Sequence, residues 1–147
     1  MLDMTYSKTG EKLTEGFEGC RLTAYQDSGG VWTIGYGHTA GVYAGKTCTE
    51  AQAEAWLGGD VEWAAHAVNM LVDVPLTQAE FDALTDFTFN CGAGRLRDSD
   101  VLRLLNAGQP HAAAQALEEY DHAGGKVLAG LLRRRKAEET EFDGGAK

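Results

Sequence analysis

Two acidic side chains near the start of the chain, Glu18 and Asp27, have the types and spacing that acid–base chemistry requires. Glu18 falls at the C-terminal end of a predicted helix, where the helix dipole disfavours a second negative charge. Its apolar neighbours Phe17 and Leu22 also favour the protonated form, because burial penalises charge. Asp27 falls in a turn whose serine and glycine amides can stabilise an ionised carboxylate. Two carboxyl groups in such opposite surroundings predict a general acid and a general base.

Thr33 is a third candidate because of its place in a predicted strand, residues 31–36. Successive side chains of a strand point to opposite faces. Trp32, Ile34 and Tyr36 form the bulky face, which we expect to pack. Thr33 should then face an open, glycine-lined surface, where its hydroxyl could position a water molecule. Considered singly, a glutamate at a helix end, an aspartate in a turn and a threonine in a strand are each typical of structural roles.

A short helix and a glycine-rich hairpin must position these three side chains. The helix is predicted over residues 7–17, with Ser7 or Thr9 as its N-cap, and it ends before Gly19. The predicted strands and turn are residues 22–26, a turn at 28–30, residues 31–36, and a third short strand near 42–44. The density of glycines in this stretch excludes a stable helix.

From residue 47 onwards the apolar residues have helical spacing. Capping boxes at Thr47–Glu50 and Thr77–Glu80 predict the starts of two helices. The predicted helices cover about 50–72, 78–91, 99–106, 110–120 and 127–142. Gly58 and Gly59 should weaken or bend the first of them. Apolar residues cover so much of the second helix that we expect it to be the central buried one.

The predicted fold class is α+β, mainly α, in a single domain over residues 1–147, which is an ordinary length for one domain. A small β lobe of about residues 20–46 is joined to a helical lobe made of residues 1–19 and 47–147. A cleft between the two lobes is the expected ligand site.

Composition excludes several classes of function. Thirteen basic against 22 acidic residues give a net charge of −9, which argues against a nucleic-acid partner because phosphate binding needs a basic face. Three cysteines cannot all pair and the four histidines are scattered, so we predict reduced thiols, no metal and no cofactor. No apolar run approaches a bilayer span, and the first ten residues lack an export-signal pattern. We therefore expect folding in the cytosol and no direct membrane insertion.

The spacing of the three candidate residues resembles that of a known family. Eight residues separate Glu18 from Asp27, five separate Asp27 from Thr33, and Ile-Gly-Tyr-Gly-His follows. This pattern is similar to the phage-type lysozymes of glycoside hydrolase family 24, the endolysins, and the similarity continues at 74–84, 89–94 and 124–138. The resemblance implies a lysozyme-like fold, with Glu18 as general acid, Asp27 as the carboxylate that activates water, and Thr33 as the second partner of that water.

The resemblance also implies supporting residues. It places a His–Asp ion pair at His38 and Asp60, and it places an arginine of the last helix near the catalytic glutamate. By distance from the helix end this arginine is Arg134, and by helical phase it is Arg135, so we keep both. The alternatives are an exposed Asp60 and a plain surface cluster of arginines.

Aromatic residues supply the candidate sugar contacts. Phe89 and Asn90 match family positions near the sugar groove, and the alternative is a core aromatic followed by a helix cap. Trp32, Trp56 and Trp63 could also stack on sugars, but their helical or strand spacing favours core packing.

The expected function is therefore that of a monomeric, cofactor-free muramidase that cleaves the β-1,4 bond between N-acetylmuramic acid and N-acetylglucosamine in peptidoglycan. It would accumulate in the host cytoplasm and need a holin pore to act in the periplasm and release phage. The net charge departs from the commonly basic endolysins, so wall binding should rest on the groove and the arginine cluster. The alternatives are a lytic transglycosylase that uses Glu18 alone, and a catalytically silent peptidoglycan-binding or structural phage protein.

Overall fold

The computed structural model describes residues 3–123 and 125–144, with nothing described for the side chain of residue 123. The chain divides into two compact units. The first, called here the hairpin unit, is Glu11–Glu62, and the second, the helical unit, contains the residues up to Gly10 and from Trp63 onwards. The predicted single-domain organisation and its lobe bounds stay a prediction. No helix among the described residues has the length and apolar character needed to cross a bilayer.

A helix, a two-stranded sheet and a second helix build the hairpin unit. Their bounds are α1 Lys8–Glu18, β1 Arg21–Gln26, β2 Trp32–Gly35 and α2 Glu50–Asp60. Helix α1 begins in the residues assigned to the helical unit, and the Ser7 hydroxyl caps it by accepting from Gly10 N at 3.1 Å. The predicted helix 7–17 is thus confirmed within one residue at each end, and Glu18 is its last residue.

The hairpin is antiparallel, with Tyr25 opposite Thr33 and an irregularity between Arg21 and Tyr25. The predicted third strand near residues 42–44 is wrong. The third segment pairs later, where Ala24 N donates to Lys46 O at 2.8 Å and Cys48 N donates to Leu22 O at 2.9 Å. These hydrogen bonds satisfy backbone groups of β1, but the segment forms only an isolated β-bridge and not a full strand.

Helices dominate the helical unit. Its elements are α3 Glu62–Leu71, whose first residue is assigned to the hairpin unit, α4 Gln78–Cys91, α5 Ala93–Arg97, α6 Asp100–Asn106, α7 Pro110–Ala116, a 3₁₀ turn at Leu117–Glu119, β3 His122–Ala123, β4 Lys126–Val127 and α8 Ala129–Phe142. Every residue from Phe81 to Thr88 is buried, so α4 is the central helix, as predicted. A mainly helical chain with a small antiparallel sheet matches the predicted class.

Several local predictions need correction. The predicted helix 50–72 is two helices that break at Val61, soon after Gly58 and Gly59, whose freedom of backbone rotation weakens a helix. Its capping box is formed by Thr49 and Gln52 rather than by Thr47 and Glu50. Helix α5 and the strands β3 and β4 were not predicted, because segments of five and two residues carry no periodic signal.

Two acidic side chains face each other where α8 packs on the 3₁₀ turn. Burial, followed by the carboxyl groups of Glu118 and Asp143, raises the pKa of Glu139 from an ordinary 4.5 to about 7. The folded protein therefore holds a proton that the unfolded chain has lost, between pH 4.5 and pH 7. Because the folded state binds more protons in this window, the stability contributed by Glu139 falls as the pH rises through it.

We expect the melting temperature of Glu139→Gln to fall less than that of the unmodified protein between pH 5 and pH 8. Thermal unfolding followed by circular dichroism at the two pH values measures the difference. Glu62→Gln, at an exposed position at the start of α3, serves as the matched control and should keep the full pH dependence. An equal pH dependence in Glu139→Gln and the unmodified protein would contradict the assignment.

Candidate active site

Glu18, at the end of α1, lies beside the glycine-rich turn that follows β2. Its side chain is half-buried. A methyl group placed on Gly37 would lie 3.5 Å from its Oε1 atom, and Gly37 has a φ of +89°, which favours glycine. The Gly-Tyr-Gly sequence therefore allows the backbone to pass close to this carboxyl group.

Asp27 is exposed and its carboxylate is held by the hairpin turn. The Oδ1 atom accepts hydrogen bonds from Gly29 N and Val31 N, both at 2.9 Å. The Oδ2 atom accepts no hydrogen bond from the residues that the structure describes. One oxygen is thus oriented by two amides, and the other remains able to accept a hydrogen bond from a solvent molecule.

Thr33 does not face an open surface, and that prediction is wrong. Its exposed fraction is 4%, and its hydroxyl donates to Val31 O at 2.9 Å. Helix α2 covers the small face of β2, since a methyl group placed on Gly35 would lie 3.0 Å from Ala53 Cβ. Ile34 on the other face is also buried, so simple alternation between a packed and an open face fails for this strand.

The main-chain atoms of Val31 connect the two hairpin candidates. Val31 N donates to the carboxylate of Asp27, and Val31 O accepts from both Asp27 N and the Thr33 hydroxyl. Because the hydroxyl hydrogen of Thr33 is used in this way, its oxygen is left as an acceptor. The side chains of Asp27 and Thr33 are therefore positioned by the backbone of the same residue, Val31.

The predicted contact between His38 and Asp60 is present. Nδ1 of His38 lies 2.8 Å from Oδ2 of Asp60, the last residue of α2. The imidazole ring also stacks on Trp56, with ring centroids 4.6 Å apart and planes 7° from parallel. His38 thus joins the turn after β2 to α2, which supports the segment that lines Glu18.

Arg134 and Arg135 of α8 are both buried, so a plain surface cluster is excluded. Arg134 forms a two-pronged contact with Asp86 of α4, through Nε to Oδ2 at 2.9 Å and Nη2 to Oδ1 at 2.8 Å. Arg135 contacts Glu138 at 2.7 and 2.8 Å. Since carboxylates compensate both guanidiniums, these arginines do not provide the exposed positive charge for wall binding that we expected. Their predicted position near Glu18 stays a prediction.

Glu138 has no solvent exposure, and its charge state depends on its neighbours. Burial first, and then the carboxyl group of Asp86, raise the pKa of Glu138, while Arg135 and Arg134 lower it. We did not predict this residue as part of the network. The Arg-x-x-Glu spacing, which places both side chains on one helix face, was the signal that could have revealed it.

The predicted sugar-contact residues lie at the end of α4. Phe89 is half-buried and packs against Trp63, with ring centroids 6.1 Å apart and a tilt of 36°. Trp63 is 47% exposed, so the prediction that it packs in the core is wrong. Asn90 is half-buried and is not the helix cap, which is Gly92.

The described part of the chain holds neither a metal-binding cluster nor a disulfide. Among the residues that the structure describes, no group of three or more His, Cys, Asp or Glu side chains could hold a metal ion. The thiols of Cys20, Cys48 and Cys91 are free, in agreement with the prediction of reduced cysteines.

The sequence profile described as phage lysozyme matches residues 15–138, which include the end of α1, the hairpin and most of the helical unit. The chain belongs to the phage lysozyme family. Its endolysin relative from Acyrthosiphon pisum secondary endosymbiont phage 1 is 38% identical over 144 residues, which cover 95% of this chain and 99% of that protein. The endolysin of Bacillus phage B103 is 39% identical over 142 residues, but the chain spans only about half of its length, 54%.

Solved structures confirm the lysozyme-like α+β fold of this phage lysozyme family member. A single-substitution variant of P22 lysozyme matches with a TM-score of 0.89 and 38% identity, covering 95% of this chain and 98% of that one. The muramidase domain of SpmX from Asticaccaulis excentricus matches with a TM-score of 0.88 and 43% identity, covering 94% of this chain and 97% of that one.

Proposed function

We propose that this chain is an endolysin that hydrolyses the β-1,4 bond between N-acetylmuramic acid and N-acetylglucosamine in peptidoglycan. Family membership supports the reaction class, and similar proteins that are named endolysin and muramidase support the substrate. The observation that carries the assignment of roles is the backbone of Val31, whose N–H holds the carboxylate of Asp27 and whose C=O accepts from the hydroxyl of Thr33.

In the proposed reaction, Glu18 donates its proton to the glycosidic oxygen as the C1–O bond breaks. A water molecule attacks C1, and Asp27 accepts its proton through the oxygen not held by the turn. The Thr33 hydroxyl, which already donates to Val31 O, accepts the second hydrogen of the same water. A lone pair of the water oxygen is then left for C1. The resemblance to family 24 favours inversion of configuration, in which water enters opposite to the leaving group.

Mass spectrometry of digested sacculi tests this reaction directly. We expect products with a reducing-end N-acetylmuramic acid, because water supplies the new hydroxyl. Anhydro-muramic ends would instead indicate a lytic transglycosylase that uses Glu18 alone. Intact glycan, together with binding of the protein to sacculi, would indicate a catalytically silent peptidoglycan-binding protein. Either of these two results would overturn the proposed hydrolysis.

The proposed biological role is cell-wall degradation at the end of a phage infection, by a monomer without metal or cofactor. The proposed route is accumulation in the host cytoplasm and passage through a holin pore to the periplasm. The name endolysin carried by relatives supports the role. Expression in a host with and without a co-expressed holin tests the route, and lysis that does not depend on the holin would exclude it.

A further inference from the structure

The helical unit contains a cavity of about 550 Å³, which we call the α3–α4 groove. Three segments line it: residues 3–4, the C-terminal half of α3, and the connection from α3 to α4 at residues 72–76. The lining is mainly apolar, and it contains none of the candidate catalytic residues. A cavity of this size, with apolar walls and a few polar groups, is typical of a ligand site.

Two asparagine side chains hold the walls of the α3–α4 groove in place. Asn69 of α3 accepts from Met4 N and donates to Met4 O, both at 2.9 Å. Asn106 of α6 accepts from Asp73 N at 2.8 Å and donates to Leu71 O at 3.1 Å. Each wall is thus tied to a helix by a pair of hydrogen bonds. The groove is therefore already formed before a ligand binds, which lowers the cost of binding.

The apolar surface of the groove includes a large side chain that the fold leaves open. Met70, near the end of α3, is 67% exposed. Val74 and Leu76 on the opposite wall are only half-buried, and Pro75 between them is exposed. Because a methionine side chain is unbranched and flexible, it adapts to the shape of an apolar partner. The groove thus combines fixed walls with one adaptable side chain.

The charges of the groove restrict the kind of partner that it can bind. Asp3 and Asp73 are exposed, and their carboxyl groups make no ion pair or hydrogen bond within residues 3–123 and 125–144. No lysine, arginine or histidine is among the described residues that line the groove. The net charge of −9 also disfavours an acidic partner or a second copy of the chain. Complementarity therefore requires positive charges next to apolar groups.

The backbone of the α3–α4 connection favours a peptide over a small cationic molecule. Residues 72–76 form neither helix nor strand. The N–H groups of Val74 and Leu76 make no hydrogen bond to the part of the chain that the structure describes. The carbonyl groups of an added peptide can satisfy such unpaired donors, as they do when a peptide pairs with an extended segment.

We propose that the α3–α4 groove binds a short peptide segment of a partner protein, in which Lys or Arg alternates with large aliphatic residues. The cationic side chains contact Asp3 and Asp73, and the aliphatic ones fill the cavity beside Met70. The peptide carbonyls accept from the N–H groups of Val74 and Leu76. This phage lysozyme family member thereby gains a docking site for a basic partner, made of residues other than those proposed to cleave glycan.

Titration of the nitrogen-15-labelled chain with the blocked peptide Lys-Leu-Lys-Leu-Lys, followed by NMR, tests the proposal. We expect saturable shifts of the amide signals of residues 3–4 and 68–76, which line the groove. Two matched peptides separate charge from apolar contact. Glu-Leu-Glu-Leu-Glu keeps the aliphatic side chains with reversed charge, and Lys-Ser-Lys-Ser-Lys keeps the charge alone. Each should bind at least about tenfold more weakly, because the groove needs both features.

Substitutions in the groove test the same contacts from the protein side. Met70→Lys sets a positive charge at an exposed position, so the fold should be retained and the Kd for Lys-Leu-Lys-Leu-Lys should rise at least about tenfold. Asp73→Asn should raise the Kd about threefold, and the double variant with Asp3→Asn about tenfold, because each exposed charge contributes modestly. Glu62→Gln removes one charge from the start of the same helix and should leave the Kd unchanged.

Several results would overturn this docking site. They are equal affinity for the Glu-containing peptide, an unchanged Kd in both Met70→Lys and the double aspartate variant, and shifts that bypass residues 68–76. Sedimentation velocity tests for a second copy in the groove: a dimer of the unmodified protein that Met70→Lys converts to a monomer would also overturn the proposal. Circular dichroism confirms that each variant is folded. If Met70→Lys does not fold, Met70→Ser and the double aspartate variant decide the outcome.

Discussion

Glu18→Gln is expected to reduce peptidoglycan hydrolysis by about a hundredfold to ten-thousandfold, without unfolding the protein. Glutamine has nearly the same shape as glutamate but no proton to give to the leaving oxygen, and general acid catalysis typically contributes a factor of this size. Glu18 ends α1 and is half-buried, and glutamine keeps its volume there, so we expect the fold to be retained. The decrease in turbidity of a suspension of purified sacculi measures the rate.

Glu15→Gln is the matched control for this experiment. Glu15 lies on the same helix, one turn earlier, and is also half-buried. Burial, followed by the charge of Glu54, raises its pKa, so a loss of activity from any neutralised carboxyl group on α1 would appear in both variants. We expect Glu15→Gln to keep near-normal turnover. Turnover retained in a folded Glu18→Gln would end the assignment of Glu18 as general acid.

Arg135→Met is expected to lower the free energy of unfolding by about 3–5 kcal/mol, the largest stability effect predicted for this chain. Methionine fills much of the same volume but leaves Glu138 buried without its closest cation, 2.7 Å away, and leaves Oδ1 of Asn90 without its donor. Removal of this guanidinium also removes one of the two charges that lower the pKa of Glu138. Urea denaturation at pH 7 measures the loss.

The double variant Arg135→Met, Glu138→Leu separates the cost of an unpaired charge from the value of the ion pair. Replacing both partners by apolar residues of similar size is often nearly neutral, so we expect the double variant to recover most of the loss. Arg133→Ala, at an exposed position on the same helix, should change the stability by less than about 0.5 kcal/mol. If the double variant is as unstable as Arg135→Met, the unpaired charge of Glu138 is not the cause of the lost stability.

The parts of the fold that sequence predicted well are those with local signals. The Thr77–Glu80 capping box marks the true start of α4. The apolar residues that cover most of the surface of α4 identified it as the central helix. The hairpin was predicted because glycines and β-branched or aromatic residues alternate over a short stretch. The third strand and the helix break at Val61 were predicted poorly, since single-residue pairing and a one-residue interruption leave almost no pattern.

For the candidate site, spacing along the chain was sufficient to place Glu18 at a helix end and Asp27 in a turn. The contact of His38 with Asp60 also followed, although only through resemblance to a family. Thr33 was predicted to be exposed but is buried, and Trp63 was predicted to be buried but is exposed. The exposure of a residue depends on which other elements cover it. Helix α2 covers β2, and the periodicity of the sequence does not predict such a contact between distant segments.

The sequence by itself determined the order of the longer helices and the hairpin, the position of both acidic candidates and the membership of a family. These properties depend on neighbours within a few residues, where backbone preference and side-chain period act directly. Only the tertiary structure decided that Arg134 pairs with Asp86, that Arg135 holds both Glu138 and Asn90, and that Val31 joins Asp27 to Thr33. The physical reason is that a buried charge takes whichever partner the packing of α8 on α4 brings within hydrogen-bond distance, and that partner lies 48 residues away for Arg134.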